Sequence, residues 1–177
     1  MFNECKLYDD MRIVWLRHVW WTREVILAIV AGAPWTEESI AKLLKNPSEM
    51  AAVFSPFINR EHQNDMIDLF TTHLKLGGDI VTAAKAGDTA HVNELQRQWH
   101  QNANQIARLM AGFNLGFNED EVQQMMYTHL QLTTDEAVLT LQGRYNDAIA
   151  KFDQVQDEAL MMADYFACGI INSMRRF

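Results

Sequence analysis

Three histidines, His18, His73 and His129, each fall near the middle of a long stretch in which apolar residues recur every three or four positions. His18 lies between Val14/Trp15 and Trp21/Thr22, His73 between Phe70 and Gly77, and His129 between Met125/Met126 and Leu132/Thr133. On helices, residues spaced in this way share one face, so all three imidazoles are predicted to point inward. Three imidazoles converging at one level of a bundle would supply three ligands to a divalent Fe, Mn, Zn or Ni ion, with a carboxylate or water completing the set. Glu136 or Glu158 is the expected carboxylate, with Asp79, Asp135 and Glu24 also on inward or flanking positions. Thr22, Trp21, Asn102 and Thr133 would stand behind the ligands. The competing reading makes each histidine a core residue that donates one N–H to a neighbouring acceptor.

Other constellations carry less. A ferritin-type di-iron centre needs Glu-x-x-His on two helices, and that motif is absent. His91-x-x-Glu94 reverses the order on a polar face and reads as a solvated pair. His129 and Glu136 are two turns apart, about 10 Å along a helix, so they can line one cavity more easily than share one ion. Asn102 and Glu158 take matching stripe positions and, as buried polar residues, need partners: one another or the histidines, or, in the functional alternative, a ligand. Arg23 beside Glu24 reads as a solvent-facing ion pair, with a buried anion clamp as the alternative. No glycine-rich phosphate loop, nucleophile elbow or HExxH is present.

The elements that must position these residues are all helices. The periodic run from about Leu7 to Gly32 is apolar around much of its circumference and ends at Ala33-Pro34. Two short helices follow, one capped by Thr36 and the other opened by Asn46-Pro47 with Glu49 three residues on. Long helices are predicted over about Asn59 to Ala86, Thr89 to Gly112, Asn118 to Gln142 and Asp147 to Met174. Gly77-Gly78 inside the first of these costs about 1 kcal/mol per glycine relative to alanine, which close helix approach would offset. The last helix presents Ile149, Phe152, Val155, Ala159, Met162, Phe166 and Ile170 on its inner face. No segment shows the sustained alternation of a strand.

Residues 66–111 laid on 122–167 match Thr72-His73-Leu74 to Thr128-His129-Leu130, Leu76 to Leu132, Asp79 to Asp135 and Gly87 to Gly143. The run Ala103, Ala107, Ala111 likewise matches Ala159, Ala163, Ala167. A duplicated helical hairpin, with halves about 60–113 and 118–175, accounts for this and pairs His73 with His129. The strings His18-x-x-Trp21-Thr22-Arg23, Trp99-x-x-Asn102-Ala103, His129-Leu130-x-Leu132-Thr133-x-x-Glu136-Ala137 and Ala159-Leu160-x-Met162-Ala163-Asp164 resemble an uncharacterised bacterial all-helical family of bacilli and clostridia. Asn114-Leu115-Gly116 departs from the Asn-Pro-aromatic expected there. More distantly, His18-x-x-Trp21-x-x-Glu24 and the His-Leu helices are similar to duplicated Bacillus metalloprotein-like bundles, a resemblance that implies a metal held among histidine-bearing helices.

Composition sets the outer bounds. The chain has 177 residues, 49% of them hydrophobic, with 8 Gly and 3 Pro. A single domain of this size buries roughly 70% of its unfolded surface and needs no staple to fold. A net charge of −8 without a basic stripe argues against nucleic acid, the pairs Arg17/Arg23 and Arg175/Arg176 being isolated. Cys5 and Cys168 do not form a disulfide framework or metal knuckle, which points to a reducing cytoplasm, and the first ten residues lack a secretory signal. The most apolar stretch, Ile13 to Ala31, is broken by Arg17, His18, Arg23 and Glu24, against a membrane span. The expectation is therefore one all-α, up-and-down bundle, ferritin-like in type, with five longer and two short helices. Its function is expected to be metal binding at a histidine site. The alternative is a non-enzymatic module in which the buried network is structural and the Trp and Met side chains serve a small ligand, a partner or a homodimer.

Overall fold

An asparagine side chain opens three of the long helices, accepting a hydrogen bond from the backbone N–H three residues on: Asn3 from Lys6, Asn59 from His62 and Asn118 from Glu121. Asp88 caps a fourth through His91. In a computed structural model that describes residues 2–175, the helices are α1 (Glu4–Ala31), α2 (Thr36–Leu43), α3 (Asn46–Phe54), α4 (Arg60–Lys85), α5 (Thr89–Ala111), α6 (Glu119–Leu141) and α7 (Tyr145–Met174). Arg176 of the Arg175/Arg176 pair lies outside the described residues. The described residues contain no strand, and the protein is an all-α helical bundle. None of its helices is long and apolar enough to cross a membrane.

The ends of α1, α4 and α6 are built alike. Gly32, Gly87 and Gly143 take positive φ of 65°, 76° and 71°, where a side chain would be strained. The next residue then reaches back to a carbonyl in the last turn: Ala33 N–H to Ala28, Asp88 N–H to Ala83 and Arg144 N–H to Leu139. Positions spaced 55 and then 56 residues apart occupy matching places throughout these helices. Met11, Met66 and Val122 are buried, as are Trp15, Phe70 and Met126, and so are the three histidines. The partner helices match in the same way: Met50, Ile106 and Met162, then Phe54, Met110 and Phe166, all buried.

Packing closes the chain into a ring. Helix α1 lies against α3 and α7, α4 against α3 and α5, and α6 against α5 and α7, while α1 also touches α4 and α6 across the middle. The histidine-bearing helices are therefore neighbours about one axis. The main apolar cluster, built around Trp15, Phe54, Phe70, Phe166 and Met162, is the core of the bundle. A smaller one, Val25, Ile26, Ile29, Leu43, Leu74, Val81 and Ala137, packs separately from it, and several of its residues line the same pocket as the histidines.

Several local expectations are corrected. Thr36 does not cap α2 with its side chain; its hydroxyl donates to the Ala33 carbonyl and Trp35 takes the N-cap position. Asn46 is a buried first-turn residue of α3, preceded by Lys45 at the cap. Ile149 is 52% exposed and does not face the core; Ala148, one turn before Phe152, takes the buried position instead. At Gly77 the close approach is made by the Trp99 indole, 3.5 Å from where a Cβ would stand, and at Gly78 nothing approaches. The Glu121 carboxylate does not close back on Asn118 but accepts the Tyr165 hydroxyl, which itself accepts the Asn118 N–H.

Candidate metal centre

His18 on α1, His73 on α4 and His129 on α6 are each 2% exposed, and one ring nitrogen from each lies within 4.8 Å of the other two. Ring centroids are 5.5 Å apart for His18 and His129, 6.1 Å for His73 and His129, and 6.3 Å for His18 and His73. The Nδ1 atom of each ring is already engaged. His18 Nδ1 stands 3.0 Å from Asn46 Oδ1, His73 Nδ1 3.1 Å from Asn102 Oδ1, and His129 Nδ1 3.2 Å from Glu158 Oε2.

Those partners decide the tautomers. Asn46 Nδ2 donates to the Val14 carbonyl and Asn102 Nδ2 to the Leu69 carbonyl, each four residues before the histidine concerned. The amides are thereby oriented with oxygen toward the imidazole, so Nδ1 must carry the proton and donate. Glu158 accepts from His129 in the same way. With Nδ1 donating, a neutral ring keeps its lone pair on Nε2, which is the form that binds a metal while the other N–H is held by an acceptor.

Burial disfavours a charge on His18 and His73. His18 is pushed down to about 3, first by burial and then by His129, against a smaller upward pull from Asn46. His73 is lowered well below its ordinary value by burial, then by His129 and His18. Three ring nitrogens within 4.8 Å of one another, in a pocket lined largely by apolar side chains, are a donor set for a cation. Ligand nitrogens about 2.0–2.1 Å from a tetrahedral ion stand about 3.3 Å apart, and rings already within 4.8 Å reach that spacing by small rotations. The nitrogen donors suit Zn, Fe, Ni or Cu better than Mg or Ca.

Above the rings is a chamber of about 40 Å³, lined by the three histidines, Thr22, Thr133, Gly77, Trp99 and the small apolar cluster. Trp99 closes its side, donating Nε1–H to the His73 carbonyl and tilting over the ring at 5.2 Å. Thr22 donates to the His18 carbonyl. The Thr133 hydroxyl is buried with no hydrogen-bond partner, as are Trp15 Nε1 and Glu158 Oε1.

The structure separates the other expected residues. Glu136 is not beside the histidines: its Oε1 is 2.5 Å from Arg23 Nη1, both side chains largely buried and the guanidinium 4.6 Å over the Phe152 ring. Burial pushes the Glu136 carboxyl up to about 7 despite that partner. The distance from His129 along α6, two turns, is what removes it from the ring nitrogens. Arg23 is thus a buried clamp on Glu136 rather than a surface partner of Glu24, which instead accepts the Trp35 N–H. Glu158 reaches the site only through His129 Nδ1, a supporting and not a ligating place. Trp21 does not stand behind the histidines; it packs on the smaller cluster with Lys42 5.8 Å over its ring, and Trp15 and Trp99 take the places beside the imidazoles. Asp79 is exposed, and Asp135 is bound by Lys151 and Gln131. Glu94 is exposed and hydrogen-bonded to Arg97, with His91 close enough to add to the lowering of its carboxyl.

Asn46 is the residue that sequence reasoning missed. Its place before Pro47 suggested a helix opening, but its distance from His18, 28 residues, nearly repeats the 29 residues separating His73 from Asn102 and His129 from Glu158. That spacing was a usable signal. Comparison of the chain with protein-family models, with curated proteins and with solved structures returns no match.

Proposed function

We propose that the protein binds one divalent transition-metal ion through Nε2 of His18, His73 and His129, with Asn46, Asn102 and Glu158 holding the rings in the ligating tautomer. The observation that carries this reading is an acceptor on every Nδ1, which leaves the three Nε2 atoms for an ion. A core histidine needs one hydrogen bond; three that converge, each with an acceptor at Nδ1 and two of those acceptors fixed from behind by a backbone carbonyl, fit a donor set for a cation. Imidazole ligands bring no negative charge to the ion, and the Glu158 side chain stands behind one of them. The short-motif likeness to Bacillus metalloprotein-like bundles agrees with this reading, and the 55- and 56-residue spacing favours an origin in three repeated helix pairs, one histidine from each. A non-enzymatic module with a purely structural network is the second reading, favoured by the hydrogen bonds that both asparagines make at Oδ1 and Nδ2.

Elemental analysis of tag-free protein, purified without chelator, decides between them. Near-stoichiometric Zn, Fe, Ni or Mn in the wild type, lost from a His73→Ala/His129→Ala variant, is the expected result. Metal-free protein whose melting temperature is the same with and without each ion would leave only the structural reading.

A further inference from the structure

One turn beyond each histidine, at equivalent positions, stand Thr22, Gly77 and Thr133. The three are not equivalent in their bonding. Thr22 turns back and donates to the carbonyl of its own histidine at 2.8 Å. Gly77 has no side chain, and the Trp99 indole occupies the flank it leaves. Thr133 is 6% exposed, lines the chamber, and has a hydroxyl with no partner in a structure where nearly every other buried side-chain polar atom has one. A buried hydroxyl left unpaired costs about 1–3 kcal/mol, and a chain that tolerates this beside an open volume is prepared for a ligand that pairs it.

The chamber restricts what that ligand can be. Its volume of about 40 Å³ holds about two or three non-hydrogen atoms, taking roughly 10–15 Å³ for each water-sized centre. Its walls away from the histidines are Val25, Ile26, Leu43, Leu74, Val81 and Ala137, with no cationic side chain among the residues that line it. A phosphate or sulfate would therefore be too large and would leave charge unpaired against hydrocarbon. A divalent ion on three neutral imidazoles, with one carboxylate behind His129, keeps a residual positive charge that a neutral molecule or a monoanion can meet.

We infer that the fourth coordination position faces this chamber and takes a diatomic or triatomic ligand, neutral or monoanionic, whose metal-bound end accepts the Thr133 hydroxyl. The inference rests on the metal reading above and adds to it the ligand class and the residue that selects it. The hydroxyl, bonded to nothing in its own turn of helix, is free to meet the ligand, and the apolar wall disfavours longer or more polar molecules. Three histidines with an open position is the arrangement of metal sites that bind an exogenous molecule rather than merely brace a fold.

Cobalt(II) loaded into the full chain gives visible d–d bands that report both binding and coordination, with azide as the small probe and imidazole as the oversized one. Azide is expected to shift the bands saturably, and imidazole to leave them unchanged. Thr133→Val, nearly identical in shape, should weaken azide about tenfold, the loss of one hydrogen bond of about 1.4 kcal/mol, whereas Thr133→Ser should stay within about twofold of the wild type. Melting of each variant with cobalt bound checks that the fold is kept. Cobalt bands that ignore azide, equal azide affinity in Thr133→Val, or imidazole binding as tightly as azide would each overturn the ligand assignment while leaving the metal site standing. Absence of any cobalt bands would remove the metal site and the ligand together.

Discussion

A histidine can bind a metal only if one nitrogen keeps its lone pair, and at this centre the choice of nitrogen is made by residues that never touch the ion. Asn46 and Asn102 are each fixed by a backbone carbonyl through Nδ2 and so offer only oxygen to the ring. Asn46→Ala should free His18 to change tautomer and weaken zinc binding by about 10–100-fold, measured by competition with a chromophoric chelator. Asn46→Asp, which keeps an acceptor, should retain most of the affinity. Affinity unchanged in Asn46→Ala would show that the ring is held by packing alone. Asn46 could be mistaken for a helix start because Asn-Pro at a segment boundary has that local meaning; its burial against His18 is set by α3 folding across α1, which no local pattern encodes.

At the scale of the element, the helices were largely legible. Every long helix lies within a few residues of its periodic stretch, because burial of an apolar stripe dominates each and glycine or asparagine marks the ends. The inner faces were less legible where a stripe is wide: Ile149 fits the period of α7 yet stands in solvent. Close approach also escaped the pattern. On α7, a Cβ at Gly169 would fall 2.5 Å from Phe117 Cε1 and 2.7 Å from Cδ1, with the Leu115 carbonyl at 3.2 Å. Gly169→Ala should therefore destabilise by about 1–3 kcal/mol through overpacking, seen in urea unfolding, even though alanine is the better helix former. Gly87→Ala, with φ of 76° and open space around it, should cost about 1–2 kcal/mol by backbone strain instead.

For the whole molecule the buried site links stability to metal and to acid. An ion present at about a hundred times its dissociation constant adds about 2.7 kcal/mol, so the melting temperature should rise with added zinc in the wild type and not in His73→Ala/His129→Ala. Without metal, His18 sits at about 3 in the folded chain against 6.5 when unfolded. Between those values the unfolded chain binds the extra proton, so the contribution is complete above pH 6.5 and is lost as pH falls toward 3. At pH 5 this amounts to about 2 kcal/mol. His73 acts in the same direction. Glu136, raised from 4.5 to about 7, acts in the opposite one: its contribution is complete below 4.5 and is lost as pH rises through 7. Thermal melts at pH 5 and 7.5 should accordingly show a smaller acid loss in His18→Gln than in the wild type, and a larger one in Glu136→Gln. Equal losses in all three would mean that these groups do not control acid stability.

What the sequence by itself determined was the all-helical class, the limits of the helices and the inward direction of His18, His73 and His129. These follow from periodicity and from capping residues, interactions that reach no farther than a turn or two along the chain. The tertiary structure alone decided which polar groups meet. It gave Glu136 to Arg23, Glu158 to the far side of His129, Asn46 to His18 and Trp99 to the flank of His73, and it left the Thr133 hydroxyl unpaired beside the chamber. Each of those outcomes depends on the rotation and height of one helix against another, and that is set by the packing of whole faces, the quantity a one-dimensional pattern does not carry.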